Sequence, residues 1–162
     1  MEKILISACL LGNPVRYDGK GKLIEHPLIQ QWQKEGRLVS ICPEVAGGLP
    51  TPRPAAEINQ LDGNAVLAKD ALVITNDHQD VSQPFIEGAE IALRLAAKHK
   101  IKFAILMANS PSCGSNEIYD GTFSGQKKIG DGVTAALLKR NGMRVFDQFQ
   151  LDELAAKLKK ID

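Results

Sequence analysis

A chain of 162 residues that is 44% hydrophobic and 24% charged has the make-up of one ordinary folded domain, which excludes a disordered polypeptide. Twenty basic residues against nineteen acidic ones leave a formal charge of +1, so the chain has no overall pull on a polyanion, and nucleic-acid binding would need a local patch. No run approaches the ~20 apolar residues of a membrane span, and three cysteines without a Cys-x-x-Cys pair form no secreted disulfide framework, so a reducing, cytoplasmic setting is expected.

Lys3–Cys9 (KILISAC) is nearly all apolar, the signature of a central parallel strand covered on both faces. The segment resembles a lipoprotein cleavage box, but its apolar part is too short for a signal peptide and a loop-like GNPVRYDG follows. Leu10–Gly21 is that loop; its Arg16-Tyr17-Asp18-Gly19 reads as a turn or as a recognition element. His26–Glu35 places Leu28, Ile29 and Trp32 at helical spacing and stops at Gly36. Arg37–Ile41 is a second strand, which makes a βαβ unit with a right-handed crossover. Cys42–Pro54 is dense in proline and glycine, hence a rigid, shaped loop. Arg53 and Glu57, four apart, are expected to pair with each other.

Further on, Asn64–Lys69 and Ala71–Thr75 are predicted to form a small hairpin. Ser82–His99 is the longest helix, with Ser82 as its cap, Pro84 in the first turn, and Ile86, Ala89, Ile91, Leu93 and Leu95 on the buried side. Phe103–Ala108 is a third strand, and Ile118–Gly125 a turn-rich stretch. A helix opens near Gly132 and runs through Arg140 to Asn141-Gly142; Asp131 is either its cap or part of an anion site at its start. Met143–Phe146 and Leu151–Lys160 complete the chain as a strand and an amphipathic helix. Residues 1–162 are thus expected to form a single α/β domain, an open, mostly parallel Rossmann-like sheet with flanking helices. Lys98, Lys100, Lys102, Lys127 and Lys128 are the only patch candidates and read more simply as solvated lysines.

Cys9, Cys42 and Cys113 each fall at or just past the end of a predicted strand. In an open parallel sheet those ends border the ligand crevice, so three thiols converge on one place. A buried cysteine can be a plain small hydrophobe, and unrelated cysteines and a shared metal site both fit the pattern. Structural zinc would want a fourth Cys or His, yet His26, His78 and His99 fall in or beside predicted helices. Soft thiolates select iron–sulfur clusters, copper(I) or zinc. A cubane 4Fe-4S cluster ordinarily takes four cysteines, and one held by three keeps an iron open.

Cys9-Leu10-Leu11-Gly12 with Arg16-Tyr17-Asp18-Gly19, Cys42-Pro43-Glu44-Val45, Ser110-Pro111-Ser112-Cys113-Gly114 and Ile118-Tyr119-Asp120-Gly121 resemble, in order and over nearly the whole chain, the motifs of the 2-thiouracil desulfidase family. The resemblance implies a 4Fe-4S cluster on Cys9, Cys42 and Cys113 with one iron free for sulfur, and a part in the reaction for Glu44 and Ser110. It also implies a thiolated pyrimidine base, nucleoside or nucleotide as substrate. Some relatives with an extra helical domain remove sulfur from 4-thiouridine in tRNA; no such domain is legible here, so a small molecule is the expected partner and tRNA the second choice. The residues suit this chemistry, because Glu44 lies two positions past Cys42 and could move a proton while Ser110 orients water or the ring. The plainer readings are that Glu44 pairs with an arginine such as Arg53 and that Ser110 is a turn residue. Two other uses of the scaffold are a redox sensor or electron carrier built on the same cluster, and a non-enzymatic nucleotide-binding module at the helix near Gly132.

Overall fold

The structure, a computed structural model, describes residues 1–162. At its centre is a four-stranded, all-parallel sheet of β1 (Ile4–Ser7), β2 (Leu38–Ile41), β5 (Phe103–Ile105) and β8 (Arg144–Phe146), in the order β2-β1-β5-β8. The alternation of side chains divides two cores. Ile4, Ile6, Phe103 and Ile105 face Ile29 and Trp32 of α1 (Pro27–Lys34) and Leu151, Leu154 and Leu158 of α6 (Leu151–Ile161). Leu5, Ala104 and Leu106 face Ala92 and Ala96 of α4 (Ser82–Lys98) and Ala135 and Leu138 of α5 (Val133–Arg140). This three-layer arrangement is what the doubly apolar strands require, since neither face is left to water.

The chain leaves β1 toward β2 on one side and returns on the other to β5, so the direction of winding reverses between β1 and β5. Splayed loops at such a switch point leave a crevice at the carboxyl ends of the strands.

A smaller unit packs beside that crevice. The antiparallel pair β3 (Ala56–Ile58) and β4 (Val73–Thr75) flanks α3 (Gly63–Leu67), and a second pair joins β6 (Glu117–Tyr119) to β7 (Lys127–Ile129). Ile58, Val66, Val73, Phe85, Ile118 and Val133 form their common core. The hairpin expected from residues 64–69 and 71–75 is therefore different: its first arm is 56–58, and residues 63–67 are helical. Asp62 decides this locally, because its Oδ1 accepts from the Ala65 amide and caps a helix start.

Two details of α4 and α5 also depart from the sequence reading. The buried face of α4 is Phe85, Gly88, Ala89, Ala92 and Ala96, with Ile86, Leu93 and Leu95 only partly buried around it. Small residues on that face bring the helix close to its neighbours, so the larger side chains are displaced to the flanks. Ser82 does not cap α4; it is the first helical residue, and its amide and hydroxyl both donate to Asp80 Oδ1. Likewise Gly132, not Asp131, is the cap of α5, while Asp131 accepts from Lys139 Nζ at 2.7 Å.

The short helix α2 (Pro43–Ala46) inside the proline-rich loop is pressed onto α4. A Cβ added to Gly88 would lie 1.9 Å from the Pro43 carbonyl oxygen, and one added to Gly47 would lie 2.0 Å from that of Pro84. Only glycine permits this backbone-to-backbone approach.

Candidate active site

The crevice is a cavity of about 510 Å³ lined by Cys9, Cys42, Glu44, Ser110 and Cys113 together. All five residues singled out in the sequence are therefore brought to one place. Cys9 lies in a 3-10 turn, Ala8–Leu11, directly after β1. Cys42 follows β2 and caps α2, and Cys113 sits in the turn beyond β5. Cys9 and Cys113 are buried and Cys42 half-buried, and none is in a disulfide. None of the three histidines lines the cavity; His26 instead caps α1, its Nδ1 accepting from the Leu28 amide.

Each thiol is held by the elements around it. Ser7 Oγ receives the Met107 amide at 2.9 Å and donates to Cys113 Sγ at 3.5 Å, which ties β1 to the loop after β5. Ser110 Oγ accepts from the amides of both Ser112 and Cys113 at 3.0 Å. Ser110 is thus the turn residue of the plainer reading and a cavity-lining hydroxyl as well; its proton remains free to donate.

That turn is further fastened to α5. The amides of Gly132, Val133 and Thr134 donate to the carbonyls of Gly114, Pro111 and Ser112, and the Ser112 and Thr134 hydroxyls meet at 2.7 Å inside the protein. The start of α5 has spent its free donors on the Cys113 loop. This corrects the expectation of an anion or nucleotide site there, which would need those donors unoccupied.

Burial dominates the electrostatics. It pushes Cys9 up to about 11, with the neighbouring Cys42 adding to the shift. Cys42 and Cys113 are also raised by burial, with Cys113 feeling the charges of both other cysteines. Three neutral thiols are therefore the resting state of the protein alone, since thiolates are costly to bury without a cation. Burial also raises Glu44, opposed by the Arg53 guanidinium. Arg53 Nε donates to Glu44 Oε1 at 3.1 Å, and its side chain is only 4% exposed. Further bonds from Arg53 reach Pro50, Thr51 and the Val15 carbonyl, to which Cys42 Sγ also points. Arg53 does not pair with Glu57, as the four-residue spacing suggested. These residues enter β3 extended rather than helical, and Glu57 Oε1 accepts instead from the amides of Gly121 and Phe123.

Aromatic side chains rim the opening: Tyr17, Tyr119, Phe123 and Phe149. Tyr17 follows Arg16, whose guanidinium lies 5.8 Å from its ring centre. The Arg16–Gly19 segment is a turn, closed by the Gly19 amide on the Arg16 carbonyl, and its Arg16 and Tyr17 line the cavity. The plainer reading that Glu44 pairs with Arg53 holds, whereas sequence reasoning missed the Glu57 carboxylate and the aromatic rim as parts of the wall. Tyr17 and Tyr119 lay in motifs already singled out, Phe123 in a stretch read only as turns, and Phe149 in none of them.

The profile of the 2-thiouracil desulfurase family matches residues 4–150. This chain belongs to that family. A second family-wide likeness is to the Bacillus subtilis (strain 168) protein YbbK, described as uncharacterized, at 44% identity over 151 residues that cover 93% of this chain and 99% of YbbK. Among solved structures, the 4Fe-4S-dependent thiouracil desulfidase TudS superposes with a TM-score of 0.89 at 48% identity, covering 98% of this chain and 99% of that one. The parallel sheet with flanking helices is therefore the fold of the desulfurase family, and the thiol-lined cavity lies inside the matched region.

No three His, Cys, Asp or Glu side chains are arranged to grip a single metal ion. Three thiols lining one cavity with no histidine beside them suit an iron–sulfur cluster better than structural zinc, which would want a fourth Cys or His. Three soft donors from three strand ends, buried and free of disulfides, fit the group.

Proposed function

We propose that this protein is a 4Fe-4S-dependent desulfidase that converts a small thiolated pyrimidine, of the 2-thiouracil or 4-thiouridine type, to its oxo form. The overall change is C=S plus water to C=O plus hydrogen sulfide, a hydrolysis without net electron transfer. The observation that carries the reading is the convergence of Cys9, Cys42 and Cys113 on one cavity that also holds Glu44. In this proposal those three cysteines hold the cluster and leave one iron without a protein ligand. When bound, the cluster supplies a soft Lewis acid toward a thione sulfur.

The remaining work falls to the chain's own groups. Glu44 Oε1 is fixed by Arg53, and Oε2, without a protein donor, is the oxygen that takes a proton from water or returns one to a ring nitrogen. Its raised pKa makes it a better proton acceptor than a solvated carboxylate. Ser110 keeps Cys113 in place through its oxygen and donates its hydroxyl proton to the water or ring. The aromatic rim stacks on the planar base and excludes bulk water. A cavity of this size lies within the about 300–1,000 Å³ usual for small-molecule sites. A free base or nucleoside is the proposed substrate rather than tRNA, consistent with a net charge of only +1.

The test is anaerobic reconstitution followed by iron, sulfide and turnover measurements on 2-thiouracil, 4-thiouracil and 4-thiouridine. Wild type should bind about four irons and release sulfide stoichiometrically with the oxo product. Cys113→Ser should lose the cluster and the activity together. Cluster-loaded wild type that turns over none of the panel would refute the reading.

A further inference from the structure

Glu57 is a second carboxylate in the cavity wall for which the reaction above has no use. It lies on β3, is 9% exposed and lines the cavity. No ion pair in the molecule includes it. Its Oε1 is fully occupied, accepting from the Gly121 amide at 2.9 Å and the Phe123 amide at 3.2 Å. Its Oε2 has no protein donor, yet the only sealed side-chain atoms without a partner are Arg37 Nη2 and Ser115 Oγ. The free oxygen therefore opens onto the cavity.

The loop that fixes Oε1 is itself immobilised. Gly121 has φ +95, and a Cβ there would lie 2.6 Å from the Ile58 carbonyl oxygen, so the chain turns directly against β3. Phe123 follows with φ +55 and brings its ring to the rim. The carboxylate is thus oriented before any ligand arrives, which removes part of the ordering cost of binding. An ionised carboxylate only accepts hydrogen bonds, and a buried one with unused acceptor capacity is satisfied by a ligand's N–H.

We infer that Glu57 reads the substrate by accepting a ring N–H of the thiolated pyrimidine through Oε2, an inference that rests on the desulfidase reading above. Thione rings carrying an N–H are selected, and rings alkylated at every nitrogen are rejected. Glu57 is a specificity residue, separate from the Glu44 proton relay.

The experiment measures calorimetric binding of uracil and of 1,3-dimethyluracil to wild type and Glu57→Gln, with hydrogen exchange at the Gly121 and Phe123 amides. Glutamine can keep its carbonyl on those amides while turning an NH2 group toward the cavity. Expected are unchanged amide protection, a Kd for uracil raised about 10- to 100-fold, and a smaller gap between uracil and its dimethyl analogue than in wild type. The KM for 2-thiouracil should rise alongside. Uracil binding within twofold of wild type, or an equal loss for both ligands, would overturn the assignment. Wild type that desulfurates 2-thiouracil while Glu57→Gln keeps its KM sinks this inference alone; wild type without turnover sinks the desulfidase reading instead.

Discussion

Replacing Arg53 with methionine removes one half of a pair whose side chains are 4% and 17% exposed. Glu44 is then left as a buried carboxylate with no donor on Oε1 and only Arg16, not bonded to it, as a nearby cation, and the Pro50, Thr51 and Val15 oxygens lose their partner too. Breaking a buried pair by deleting one member costs about 3–5 kcal/mol, most of it the penalty of the stranded charge. Methionine preserves much of the stem's packing, so the loss reports electrostatics and hydrogen bonding rather than a cavity. Adding Glu44→Gln removes the stranded charge, and the double variant should recover about 1–3 kcal/mol relative to Arg53→Met. Urea unfolding under anaerobic conditions, with the four members of the cycle compared at one pH, measures both numbers. An Arg53→Met loss below about 1 kcal/mol, the scale of an exposed pair, would refute the argument, as would a double variant no more stable than the single one.

Other outcomes follow from the same geometry. Gly88→Ala drives a methyl into the Pro43 carbonyl and should cost about 1–3 kcal/mol, with reduced iron occupancy, because α2 carries Glu44 and begins at Cys42; unchanged urea midpoint and iron content would contradict this. Thr134→Val strands the Ser112 hydroxyl, 0% exposed, and should cost about 1–3 kcal/mol by urea unfolding. The cluster-free protein should weaken in alkali. Cys9 is raised from 9.0 to about 11 in the folded state, so its contribution is whole below pH 9 and is lost as the pH climbs toward 11, at most about 3 kcal/mol. Urea midpoints across that window should fall less steeply for Cys9→Ala than for wild type, and equal slopes would count against burial as the cause.

The two inner strands, Ile4–Ser7 and Phe103–Ile105, were legible because they are buried throughout and so read as apolar runs; the edge strands Leu38–Ile41 and Arg144–Phe146 are only partly covered. The order of the four along the chain, with a cysteine after three of them, was enough to place the thiols in one crevice. The small unit was not legible. Strands of three residues such as Ala56–Ile58 are too short for a period to show, and α4 turns alanines rather than its leucines inward. Glu57 was misread for a physical reason: four residues apart means adjacent only on a helix, and its true partners, Gly121 and Phe123, lie more than sixty positions away. The donors at the start of α5 looked available in sequence because nothing local reveals that a distant turn supplies their acceptors.

The contact of α2 with α4 is main chain on main chain, so no rotamer change can absorb a displacement of either helix. One sulfur and one carboxylate of the crevice are thereby tethered to the longest helix of the molecule. Within the aromatic collar, Phe123 is held by its amide on Glu57, whereas Phe149 stands 81% in solvent. A side-chain exchange at Phe149 can therefore reshape the rim while that sulfur and carboxylate stay put.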